Sequence, residues 1–133
     1  MYCFAYASNL NREQMAKRCS EAKPKFAATL PNYKIIFTGY FRTREGATAT
    51  IVSSKGNVVK GAVYEIPESG ILKLDKYEDV PATYRRQNVI VWTEGGERIE
   101  AVTYIKIKQE EEDKPSPKYL AVIQQGYRDW QIT

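Results

Sequence analysis

Apolar and β-branched residues recur in short runs along this chain, and helical spacing interrupts them in three places. Tyr2 to Tyr6 reads as a short buried strand that stops at the small polar pair Ser8 and Asn9. Asn11 is placed to cap a helix, with Gln14 three residues on as in a capping box. Met15, Ala16 and Cys19 then share one helical face, and the pattern fails before Pro24. Lys25 to Leu30 and Tyr33 to Tyr40 read as strands divided by a Pro31-Asn32 turn. Ala47 to Val52 and Val58 to Tyr64 form the next pair, joined through "SSKGN", which has hairpin chemistry. Gly61, inside "VVKGAVYEI", marks a bulge or a close backbone approach.

Helical spacing returns from Pro67 to Glu78. Tyr84 to Thr93 and Ile99 to Lys108 read as strands around an "EGGE" hairpin loop. A last helix starts with Ser116 as cap and Pro117 in the first helical position, and presents Tyr119, Val122, Ile123 and Tyr127 on one face. Seven strands and three helices, without internal repeats, predict one α+β domain over residues 1–133. Its architecture is a small, mostly antiparallel β-barrel flanked by about three helices. The first strand, set apart from the others by a helix, is free to insert parallel to a neighbour.

Composition narrows the chemistry. The chain has 133 residues, 43% of them hydrophobic and 27% charged, which describes an ordinary globular protein able to bury about two-thirds of its unfolded surface. No apolar run reaches the roughly 18 residues of a membrane helix, and the first residues lack the pattern of a secretory signal, so a cytoplasmic protein without a membrane partner is expected. Two cysteines, Cys3 and Cys19, are too few for a disulfide scaffold or a zinc site and read as small buried hydrophobes. Histidine is absent, which excludes Ser-His and Cys-His catalysis and removes the commonest transition-metal ligand. Proton transfer must therefore rest on Glu, Asp, Tyr, Lys or Cys. The net charge of +4 is interspersed, and the densest cluster, Glu110 to Asp113, is acidic and reads as a solvated loop. Nucleic acid is not the expected partner.

Three elements could carry chemistry. In a helix over 67–78, Ile71, Leu74 and Glu78 fall within an arc of about 60°. A carboxylate on that stripe, at the helix C-terminus, is disfavoured as a charge both by burial and by the helix dipole, which suits a general base. The alternative is a glutamate facing water or paired with Arg85 or Arg86. In "ASNL", a strand end running into a helix presents consecutive backbone N–H groups that can bind an anion or oxyanion, or it is an ordinary turn. Tyr119, one turn into the last helix, either aims its hydroxyl at a ligand or is a core aromatic.

Together these elements resemble a known family. "FAYASNL" is similar to the "FAYGSNL" signature of the γ-glutamylcyclotransferase family, "LDKYEDVPATYRR" to its "LD-x-YEGV-x-x-x-Y-x-R" segment, and "PSPKYLAVIQQG" to its closing "PS-x-x-YL-x-x-I-x-x-G" helix. With "RCSEAKPKFAATLPNYKIIFTGY" and "GAVYEI", the resemblance spans residues 2 to 127. It implies a β-barrel with a pocket at the end of the first strand, no metal and no cofactor. It also implies a small-molecule γ-glutamyl substrate, converted to 5-oxoproline and a free amine or amino acid. By the resemblance, Glu78 corresponds to the catalytic glutamate. Cys3, Phe4, Ala5, Tyr6, Ala7, Ser8, Asn9 and Leu10 correspond to the substrate-binding loop, and Tyr119 to a tyrosine that contacts substrate. Two positions depart from the pattern, Ala7 and Asp79, each where glycine is common. A relative acting on a specialised γ-glutamyl amine, and a non-catalytic barrel that binds through its basic surface, are the competing readings.

Overall fold

The computed structural model describes residues 1–132. Strand β1 (Tyr2–Ala5) leads through a 3-10 turn (Ser8–Leu10) into helix α1 (Arg12–Arg18). Two long strands follow, β2 (Lys23–Phe41) and β3 (Gly46–Glu65), then α2 (Glu68–Tyr77), β4 (Tyr84–Thr93), β5 (Arg98–Lys106) and α3 (Pro117–Asp129). The strands close into a barrel in the order β1-β3-β2-β4-β5. The seam between β1 and β5 is parallel, while every other pairing is antiparallel.

Five strands replace the seven read from the sequence, because two expected breaks are irregularities inside continuous strands. At Pro31-Asn32 the β2–β3 register shifts and the ladder resumes. Asn32 takes φ 64 there, and its Oδ1 accepts from the Gly56 N–H at 3.1 Å. "SSKGN" is therefore not a hairpin between two strands. It is an excursion of β3 opposite Asn32, and the real β2–β3 reversal lies in the 3-10 turn Arg42–Arg44. Ala16, expected on the apolar face of α1, is exposed, whereas Met15 and Cys19 are buried. The acidic stretch is exposed as expected, yet its backbone is tied to β2: Gly39 N–H donates to Glu111 C=O and Asp113 N–H to Phe37 C=O.

Two glycines set the geometry around the end of β1. A Cβ on Gly61 would stand 2.2 Å from the Ala5 carbonyl oxygen and 2.7 Å from the Phe4 ring, so this glycine is a close approach that lets β3 hold the end of β1. A Cβ on Gly126 would stand 2.6 Å from Leu10 Cβ and 2.7 Å from the Asn11 backbone nitrogen, so α3 lies directly on the 3-10 turn. Hydrogen bonds hold the same turn. Trp130 Nε1 donates to Leu10 C=O at 2.9 Å, the Tyr64 hydroxyl to Asn9 C=O at 2.8 Å, and Asn11 Nδ2 to Val122 C=O at 3.2 Å. The elbow after β1 is thus a half-buried turn anchored at Leu10 and Asn11 rather than a free surface loop.

Candidate active site

Helix α2 carries the carboxylate that the sequence singled out. Ile71, Leu74 and Asp75 are buried along one stripe, and Glu78 follows on the same face as the C-terminal cap. Asp75, which the apolar spacing hid, anchors this helix end: its Oδ1 accepts from the Tyr104 hydroxyl at 2.6 Å and its Oδ2 pairs with Arg86 at 3.1 Å. Arg86 therefore serves Asp75 rather than Glu78, and Arg85 turns to Gln87 along its own strand. The helix stops in a Schellman arrangement, with Asp79 N–H donating to Lys76 C=O and Val80 N–H to Asp75 C=O. Asp79 sits at φ 55 in this motif, which explains why a glycine suits the position. Its carboxylate accepts from the Thr83 hydroxyl at 2.7 Å.

Glu78 meets the elbow after β1. Asn9 Nδ2 donates to Glu78 Oε1 at 3.1 Å. Burial pushes the Glu78 carboxyl above its ordinary range, while the Asn9 hydrogen bond and the guanidinium groups of Arg18 and Arg44 act in the opposite sense. Arg18, on the last turn of α1, donates to Ser8 Oγ at 3.1 Å and to Asn9 Oδ1. Arg44, from the β2–β3 reversal, lies 5.0 Å from the centre of the Tyr119 ring and donates to Gln14 Oε1 at 3.1 Å.

Phe4, Ala5, Tyr6, Ala7, Ser8, Asn9, Glu78 and Tyr119 line one narrow cavity of about 40 Å³, together with Ala49, Tyr84, Thr103 and Tyr104. Cys3 and Leu10 lie outside this lining, packed in the core behind it. Ser8, Glu78, Tyr84 and Tyr119 also face an outer vestibule of about 260 Å³, whose remaining walls include Arg44, Thr48 and Thr83. Larger grooves of about 600 and 710 Å³ elsewhere contain none of these elbow, Glu78 or Tyr119 groups. The Tyr119 hydroxyl accepts from the Ala49 N–H at 3.1 Å, which leaves its own proton free for a ligand. The Tyr84 hydroxyl is occupied by Ala49 C=O at 2.8 Å, and the buried Thr48 side chain lies nearby. At the elbow, Leu10 N–H is used by Ala7 C=O and Asn11 N–H by Ser8 C=O, so the amides open to a ligand are those of Ala7, Ser8 and Asn9.

This constellation has counterparts. A family described as "Gamma-glutamyl cyclotransferase, AIG2-like" matches residues 3–130. The chain belongs to that family. It is 34% identical to a bovine protein named gamma-glutamylcyclotransferase and 32% identical to a human one, in each case over 95% of this chain and 69% of the relative. A solved structure titled gamma-glutamyl cyclotransferase superposes with a TM-score of 0.93 at 30% identity, covering 98% of this chain and 79% of that one. A yeast cyclotransferase specific to glutathione shares the fold at 13% identity with a TM-score of 0.73.

Sequence reasoning missed Arg18, Arg44, Tyr84 and the Asp75–Tyr104 clamp. Asp75, Arg18 and Tyr84 had a readable signal. Asp75 stands four residues after Ile71 and three before Glu78, on the same stripe, and Arg18 stands four after Gln14 on one helix face. Tyr84 is the tyrosine of the "LD-x-YEGV-x-x-x-Y-x-R" pattern, whereas Arg44 had no signal, since only the β2–β3 reversal brings it to the vestibule.

Proposed function

We propose that this protein is a cofactor-independent γ-glutamyl cyclotransferase, releasing 5-oxoproline and a free amine or amino acid from a γ-glutamyl amide. The observation that carries this reading is a partly buried carboxylate, raised in proton affinity, that lines one cavity with the β1 elbow and accepts from its Asn9 at 3.1 Å. The α-amine of a γ-glutamyl group arrives as an ammonium ion, and Glu78 takes its proton. The freed nitrogen attacks the γ-carbonyl of the same molecule, forming the five-membered ring. The bond from that carbonyl to the amine half then breaks as Glu78 returns the proton to the departing nitrogen. The ring nitrogen sheds a second proton through the freed carboxylate to the released amine, which leaves as an ammonium ion. No water is consumed.

The chain's contribution is mostly positional. Intramolecular attack needs the folded conformer of the substrate, and a narrow cavity bounded by the Tyr6, Tyr84 and Tyr119 rings selects it. The Ser8 and Asn9 amides face the substrate carboxylate or the developing oxyanion, and Tyr119 donates its free proton to substrate. The vestibule receives the amine half, with Arg44 as its charged wall and Thr83 among its polar lining. General acid–base transfer by Glu78 supplies about 10²–10⁴-fold. Incubation with a panel of γ-glutamyl amino acids and γ-glutamyl amines, followed by detection of 5-oxoproline, tests the assignment. Formation of 5-oxoproline supports it, and its absence across the panel removes it.

A further inference from the structure

An asparagine amide is nearly symmetric in shape, with oxygen on one side and nitrogen on the other. Only one of its two orientations turns a donor towards Glu78. Arg18 selects that orientation. A guanidinium carries donors and no acceptor, so it is satisfied by the Asn9 oxygen and never by the nitrogen. With Asn9 Oδ1 held by Arg18 Nη1, the Asn9 nitrogen faces Glu78 Oε1 at 3.1 Å. Arg18 is fixed in turn. Its guanidinium lies 4.0 Å from the centre of the Tyr77 ring, Nη1 also reaches Ser8 Oγ, and Nη2 donates to Gln14 Oε1. It lines neither the inner cavity nor the vestibule.

We infer that Arg18 is a positioning residue of the cyclisation, acting on Glu78 through the orientation of the Asn9 amide and not by touching substrate. The inference rests on the reading of Glu78 as the base. Other titratable or charged groups interact electrostatically with that carboxylate: Arg44 from the β2–β3 reversal, Cys3 and Tyr6 from β1 and its end, Tyr84 from β4, Tyr104 from β5 and Tyr119 from α3. Asp79 follows Glu78 in the chain and is held by Thr83. Among the described residues, Asn9 alone donates a hydrogen bond to the Glu78 carboxylate.

Arg18→Lys keeps the charge and removes the planar fork. In a pH profile of kcat/KM, its acid limb should move to higher pH, with about a tenfold loss at mildly acidic pH. Asn9→Ala should displace the limb in the same direction, and adding Arg18→Lys to it should move the limb no further. A purely structural role would lower the melting temperature and leave the limb in place. The inference is overturned if Arg18→Lys leaves the limb unmoved, or moves it equally in the Asn9→Ala background. Should Arg18→Lys fail to fold, NMR of the wild type decides. The Asn9 side-chain amide should be a rigid, slowly exchanging pair that follows the Glu78 titration, and a freely averaging amide insensitive to it overturns the inference. Retained turnover in Glu78→Gln would instead remove the cyclotransferase mechanism. A dead Glu78→Gln beside an unmoved Arg18→Lys removes only the part given to Arg18.

Discussion

Asn9 and Glu78 are 69 residues apart in sequence, and the amide of one donates to the carboxylate of the other at 3.1 Å across the mouth of the barrel. Burial raises the proton affinity of Glu78, and Asn9, Arg18 and Arg44 restrain the rise. The carboxylate is thereby held within reach of both protonation states, as a group that first accepts and then returns a proton requires.

The wild-type pH profile should show this. Only ionised Glu78 accepts the ammonium proton, so kcat/KM should fall as pH drops through the raised pKa. The acid limb should stand above the range of an ordinary glutamate. Steady-state kinetics across pH checks it, and a limb in the ordinary range would contradict the burial argument.

Tyr119→Phe should cost both binding and stability. The hydroxyl accepts the Ala49 N–H inside the protein, so its deletion leaves a buried donor unsatisfied at about 1–3 kcal/mol. KM should also rise, because the proton offered to substrate is lost. Thermal melting and kinetics on the same sample separate the two effects.

Tyr104→Phe probes the anchor of α2. It leaves Asp75 Oδ1 without its buried partner, and stability should fall by about 1–3 kcal/mol. Denaturant unfolding at neutral pH measures it. An unchanged midpoint would mean that Arg86 alone holds this helix end.

Ala7→Gly addresses the departure from the family signature. Ala7 sits at φ −137 and ψ −123, so the position does not call for the positive φ that favours glycine. The substitution should lower stability by no more than about 1 kcal/mol through the freer unfolded chain, and leave turnover equal or higher. A large loss of turnover would show that the methyl group belongs to the binding surface.

The helices and the strands β1, β4 and β5 were legible because alternation, caps and turn residues are local. Ser116 capping α3 with Pro117 behind it, and Asn11 capping α1, follow from neighbouring residues alone. The continuity of β2 and β3 was not legible, since Pro31-Asn32 and "SSKGN" carry true turn chemistry and only pairing across the barrel converts them into bulges. The same division runs through the site. Glu78 stood out by its place on an apolar stripe and the elbow by its composition. The Arg18–Asn9–Glu78 chain links three segments that meet only when α1 and α2 pack on the barrel end, so no spacing announces it.

The most direct test is Glu78→Gln. Glutamine keeps the volume and an oxygen that can accept from Asn9, but it cannot take a proton from the ammonium group. Because the folded-state pKa of Glu78 is raised, ionising it opposes folding. That cost is absent below the ordinary glutamate pKa and grows as pH rises through the raised value. The variant should therefore be at least as stable as wild type at neutral pH, with the difference closing in acid. Turnover to 5-oxoproline, measured under the same conditions, should fall by at least about 10²-fold. A folded variant with that loss is the predicted result, and a folded variant that still releases 5-oxoproline at the wild-type rate would contradict the account.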